Sequence, residues 1–331
     1  MRKTLAATAI VLAALPSAVL AAAGAGLPLK LVMDVPLTGQ TTRLDYESLD
    51  ARDGRLFIAH LGDSAVIVYD TRADKVIKDI PGVGHVHGVL VVPELDRVYA
   101  SATQGDEVVA IDPHSLQITA RIPGGHYPDG MAYAPGVHKL YVSDEMGKTE
   151  TVIDTSTGKR IATLQMDGEV GNTQYDPVSG HIFVNVQTRE DLVEIDPQTD
   201  RIIARHPLPG AKGNHGLLID PGVRRAYIAC EDNDTLLVLD LSTMHVVSSF
   251  DVGGDPDVLA FDPGLHRLYV AGEKGVVSVF DTAGTAVRKL GEGYAGDNAH
   301  VVAVDPASHR VYLPLKDVDG HPLMRIMEPA G

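Results

Sequence analysis

The chain has no tryptophan, one cysteine and five phenylalanines among its 331 residues. A single thiol, Cys230, excludes an internal disulfide. Preceded by Tyr227, Ile228 and Ala229, it reads as a small packed strand residue, with no activating base nearby. Positive charge is also scarce. There are 28 lysines and arginines against 44 aspartates and glutamates, a net charge of −16, and the basic residues form no cluster. Such a surface repels phosphate backbones and anionic lipid, which argues against nucleic-acid and membrane-surface binding. It favours cationic ligands or metal ions, although most of the excess acid is solvated surface. No apolar run beyond the N-terminal region reaches the roughly 18 residues that a transmembrane helix needs. The mature chain shows no helical periodicity, no Gly-x-Ser-x-Gly elbow and no phosphate-cradling glycine loop before a helix.

Residues 1–23 read as a signal peptide. Arg2 and Lys3 supply the positive start, Leu5 to Leu15 the apolar stretch, and Ala21 and Ala23 close small-residue cleavage sites. No cysteine follows that could carry a lipid anchor, so the expected location is periplasmic or secreted.

What the chain has in abundance is repetition. One turn position recurs at Asp50, Val92, Ala134, Asp176, Asp220, Asp262 and Asp305, spaced by 42 to 44 residues. Each copy carries a short strand, a turn, a second strand, a polar turn and further strands. A period of roughly 40–45 residues made of short strands is that of a propeller blade. The expected fold is all-β: one seven-bladed β-propeller of four-stranded blades over residues 29–329. In blade two the strands are expected near 88–92, 97–101, 108–111 and 116–122. The last copy lacks its fourth strand, while Leu29 to Leu37 resembles that fourth strand and precedes the first copy. Pairing the two would close the ring and remove an exposed edge. An aromatic recurs in the second strand as Phe57, Tyr99, Tyr141, Phe183, Tyr227, Tyr269 and Tyr312, where it would pack blade on blade.

Tyr141-Val142-Ser143-Asp144, Tyr269-Val270-Ala271-Gly272 and the recurring Asp-Pro lead-in to the tyrosine strand resemble the YVTN family of propeller repeats over nearly the whole mature chain. The terminal asparagine of that motif is replaced in every copy. Tryptophan-dependent WD-repeat and quinoprotein propellers fit less well. The resemblance implies a seven-bladed, usually exported protein with no fixed activity.

Five residues before each turn position lies the entrance of the innermost strand. These positions hold Asp45, His87, Asp129, Gly171, His215, Asp257 and His300. In a propeller they rim the central channel on one face. The turns between second and third strands share that face and bring Asp144, Glu145, Glu190, Asp191, Glu231 and Asp232. Nearby loops add His85 and His126 to the rim. His87, His215 and His300 would suit a transition metal such as zinc, with Asp129 or Asp257 moving a proton. Carboxylates with carbonyls could instead hold calcium. A bracing reading competes, in which Asp and His at this slot bond the next blade's loop. His138, His181, His266 and His309 recur on the opposite face as solvated turn residues.

Three functions stay open. The first is a module binding a small ligand or an exported protein partner through the axial Asp/His face. The second is a metal-dependent lyase or lactone hydrolase, and the third a purely structural propeller.

Overall fold

The computed structural model describes residues 26–330, so the expected signal peptide lies outside the described residues. Seven four-stranded antiparallel sheets form the ring, each built from consecutive strands except the last. Blade two runs Val86–Val92, Arg97–Ala102, Glu107–Asp112 and Gln117–Pro123. Blade seven takes Ala303–Asp305, Arg310–Val318 and His321–Pro329, and completes itself with Leu29–Pro36. That strand pairs antiparallel with His321–Pro329. Arg325 grips both oxygens of Asp34 at 2.9 and 2.6 Å across the pairing. No helix among the described residues is long and apolar enough to cross a membrane.

Turn chemistry sets the blade edges. Asp70, Asp112, Asp154, Asp196, Asp240 and Asp281 each accept the backbone N–H two residues on, at 2.7–3.0 Å. Such side-chain bonds start the turn between third and fourth strands. Fourth strands alternate between exposed and partly buried positions, as Lys75–Pro81 shows, because one face packs and the other meets water.

The core lies between blades. Phe57, Tyr99, Tyr141, Phe183, Tyr227, Tyr269 and Tyr312 are all buried, at 2% exposure or less. Phe57 packs with Val86, Val89, Val98 and Ala100 of the following blade. Full burial of such a side chain stabilises by about 1.5–3 kcal/mol. Cys230 is buried in the same way, within the cluster that holds Phe183 and Leu237.

The histidines expected to be solvated turn residues are not all so. His181 Nδ1 lies 2.6 Å from Glu194, and His309 Nδ1 lies 2.7 Å from Asp262. Each ring is anchored by its neighbouring carboxylate while about a third of its side chain stays exposed.

Candidate functional site

The innermost strands present the ring through a shared backbone device. In blades two to six the pairing with the second strand slips between the first residue and the fourth: Val86/Val89, Pro128/Met131, Val170/Thr173, Asn214/Leu217 and Pro256/Leu259. His87, Asp129, Gly171, His215 and Asp257 fall inside these bulges. A bulge releases a residue from the ladder and re-aims its side chain. The glycine that follows a ring residue has its own reason. A Cβ on Gly88 would lie 2.2 Å from the Asp129 carbonyl oxygen, and one on Gly216 would lie 2.0 Å from that of Asp257. Glycine thus lets neighbouring inner strands close up around the axis.

The ring side chains form an arc of alternating imidazole and carboxylate. His87 Nε2 is 3.9 Å from Asp45, and Asp45 is 3.6 Å from His300 Nε2. His300 Nε2 is 3.9 Å from Asp257, and Asp257 is 3.6 Å from His215 Nε2. His215 Nε2 then reaches across Gly171 to Asp129 at 3.8 Å. All but His87 are buried, with exposures of 7% or less.

All members of the arc except His300 line a cavity of about 530 Å³. Eight carboxylates line it: Asp45, Asp129, Glu145, Glu231, Asp232, Asp255, Asp257 and Glu273. Arg43 is the one lysine or arginine in the lining, and it is tied to Glu273 at 2.6 Å. A smaller chamber of about 160 Å³ continues down the axis, and Tyr46 lines both. Beside it the Glu47 carboxyl is buried with neither oxygen partnered, and burial pushes its pKa well up.

Charge in the ring is distributed unevenly. Burial pushes Asp129 and Asp257 up; His215 opposes this, while neighbouring carboxylates add to it. Burial pushes Glu231 up to about 7, with His215 opposing. Burial acts on Asp45 too, but His300 and Arg43 outweigh it and hold Asp45 below the usual range. His215 loses by burial and gains more from Glu231, Asp257 and Asp129, which raise it to about 9. His300 is raised against burial by Asp45 and Asp257. Burial lowers His87.

The three histidines do not form one ligand set. His87 Nδ1 faces the His85 carbonyl at 2.9 Å, and its Nε2 takes the Tyr127 hydroxyl at 3.1 Å. His215 is held on both sides, by the Tyr46 hydroxyl on Nε2 at 2.9 Å and the Gln187 amide on Nδ1 at 3.0 Å. The groups whose ligand atoms lie within 4.8 Å of one another are Asp45, Asp257 and His300, and His215, Glu231 and Asp257. Each holds one imidazole, because seven-fold geometry puts a carboxylate between the histidines.

Of the expected rim, His85 lines the cavity and His126 does not. His126 is exposed and faces Asp106 at 3.3 Å. Glu145, Glu231 and Asp232 line the cavity as expected. Asp144 is instead buried, accepting from Thr149, Thr151 and the Gly125 N–H. Asp191 pairs with Arg189 and Arg205. The sequence reading missed Arg43, Tyr46, Tyr127 and Glu273. Tyr46 and Tyr127 immediately neighbour ring or loop members, but nothing in the repeat marks them as inward-facing.

No family model matches this chain, and no curated relative matches it. Solved structures do. The chain is similar to a chain of Kuenenia stuttgartiensis hydrazine synthase, with 17% identity, TM-score 0.74, and coverage of 88% of this chain and 96% of that one. It is similar to the WD40 repeats of RRP9, with 11% identity, TM-score 0.75, and coverage of 91% and 100%. A chain of the mitotic checkpoint complex matches at 12% identity and TM-score 0.73, covering 99% and 98%. At these identities the likeness establishes the fold alone: a β-propeller, on which sites of unrelated chemistry are built.

Proposed function

We propose that this chain is an exported, YVTN-type propeller that binds a small, positively charged ligand in its axial cavity. One observation carries the reading: eight carboxyls line the cavity against one arginine, already paired with Glu273, and one imidazole, His215, whose pKa those carboxyls raise to about 9. Clefts lined by one sign of charge focus the field and concentrate the opposite ion. Several of these carboxyls are held up in pKa by burial and by one another, which an incoming cation would relieve.

Isothermal titration of the full chain with putrescine, choline and divalent ions tests the proposal. At least one probe is expected to bind saturably, and to weaken tenfold or more in Glu231→Gln or Asp129→Asn. Binding should also weaken as salt rises. Failure of all of them, or binding indifferent to both substitutions, would sink the reading.

Two tyrosine–histidine pairs favour a second reading, a metal-dependent lyase or lactone hydrolase. Tyr46 with His215, and Tyr127 with His87, put a hydroxyl and an imidazole within hydrogen-bond reach on the cavity wall. Turnover in a lactone and lyase screen, lost in Tyr46→Phe, would select it over simple binding.

A further inference from the structure

We propose that Asp45, Asp257 and His300 form a site for one divalent first-row transition-metal ion, of the zinc class, at the blade-seven side of the ring. The inference rests on the axial cavity being a cation site and names the ion and its ligands. Three observations meet there.

The first is an unpartnered imidazole nitrogen. His300 is 1% exposed, and its Nε2 has less than 1 Å² of accessible surface and no hydrogen-bond partner. Its other nitrogen lies 3.0 Å from the Asn298 carbonyl, which can only accept, so Nδ1 carries the proton. In the neutral ring the Nε2 lone pair then faces the carboxylates. This tautomer lock, by a carbonyl on the far nitrogen, is how metal-ligating histidines are held.

The second is spacing. Nε2 lies 3.6 Å from Asp45 Oδ1, and 3.9 Å from Asp257 Oδ2 and from Glu273 Oε1. These distances are too long for charge-assisted hydrogen bonds, which run about 2.7–2.9 Å. They suit ligands of one ion: tetrahedral bonds of about 2.0–2.1 Å separate neighbouring ligand atoms by roughly 3.4 Å. A contraction of a few tenths of an ångström would close the shell.

The third is a second orphan. Asp45 Oδ2 is buried without a hydrogen-bond partner, on the side of the carboxyl that faces Arg43 Nε at 3.6 Å and His87 Nε2 at 3.9 Å, while Oδ1 faces His300. Water cannot reach either orphan atom, but a bare ion is smaller than water. Asp45 and Asp257 also line the cavity, so a fourth ligand can come from that side. Glu273 is engaged by Arg43 and serves as a neighbour rather than a ligand. The other trio, His215, Glu231 and Asp257, lacks a free imidazole nitrogen, since Tyr46 and Gln187 hold both. One imidazole with two carboxylates favours zinc over calcium, which takes six to eight oxygens.

The test uses the full chain, stripped by chelator and dialysed. Zinc titrated by calorimetry should bind at one equivalent per chain. Affinity should fall at least 100-fold in His300→Ala and in Asp45→Asn, and stay within threefold in His126→Ala, which removes an exposed histidine off the cavity. Calcium should bind far more weakly. Because the buried substitutions could unfold the ring, wild-type crystals grown with zinc give an independent readout. An anomalous peak about 2.0–2.3 Å from His300 Nε2 is expected. No such peak, or zinc affinity unchanged in His300→Ala, overturns the site. If zinc fails while putrescine binds in an Asp129-dependent way, the metal site falls and the cationic-ligand reading stands. If zinc, putrescine, choline and the other divalent ions all fail to bind, both fall.

Discussion

Asp45 of blade one and His300 of blade seven face each other at 3.6 Å, both buried, next to the blade that the N-terminal strand completes. Blade closure and site geometry are therefore mechanically linked. The strand Leu29–Pro36 covers the outer edge of His321–Pro329, and without it that edge would be an open pairing surface. A chain beginning at Leu37 is expected to aggregate or melt far below the full chain, as size-exclusion and thermal melts would show. Arg325→Ala removes a partly exposed ion pair with Asp34 and a hydrogen bond donated to the Ala295 carbonyl at 2.7 Å, and should lower stability by about 1–2 kcal/mol. Equal behaviour of the two variants would refute this ranking.

Glycine at the bulge is a packing requirement. In Gly216→Ala the new methyl would lie 2.0 Å from the Asp257 carbonyl oxygen, which is backbone and cannot swing away. Overpacking of this kind costs about 1–3 kcal/mol. At about 2–4 °C per kcal/mol for chains somewhat smaller than this one, the melting temperature should drop by several degrees. An unchanged melt would show that the inner strands have slack.

Asp129 is a ring residue held against its own charge. Burial and like charge raise its pKa, so above the ordinary carboxylate range its ionisation works against folding. Asp129→Asn removes that opposition. It is expected to melt higher than wild type at pH 8, with a smaller difference at pH 4, while binding cationic ligand less tightly. Lower stability at both pH values would contradict the sign.

His60 gives the opposite pH signature. Its ring is 1% exposed, bonded through Nε2 to the Thr42 hydroxyl at 3.0 Å, and burial lowers its pKa while Asp63 opposes. The unfolded chain therefore takes up a proton at higher pH than the folded one. Stability from this residue is complete above about pH 6.5, the ordinary histidine value, and is lost as pH falls below it. Histidine NMR should show the His60 ring, like that of His87, staying neutral below that pH. His60→Gln should flatten the acid limb of a pH–stability curve; an unchanged limb would assign it elsewhere.

The repeat made most of the architecture legible. A 42-to-44-residue period, one aromatic slot per copy and a stray strand before the first copy suffice for seven blades and the closure. Propeller blades differ little, so a position in one copy predicts its place in the next. Ring membership followed by the same logic, and so did Glu145, Glu231 and Asp232 on the cavity. His126 failed because its loop carries it outward to Asp106, and a loop position one repeat unit wide does not fix a side-chain direction.

Chain order thus determined the fold, the ring and its acidity, because these are sums over a repeated local pattern. Tertiary structure decided which nitrogen meets which carboxylate. His87, His215 and His300 stand on blades two, five and seven, and ring geometry interleaves them with aspartates instead of gathering them. The partners that then distinguish them come from far along the chain: Tyr46 holds His215 169 residues away, and Tyr127 holds His87 40 residues away. Only His300 is left with a free nitrogen, and that depends on how seven inner strands pack around one axis.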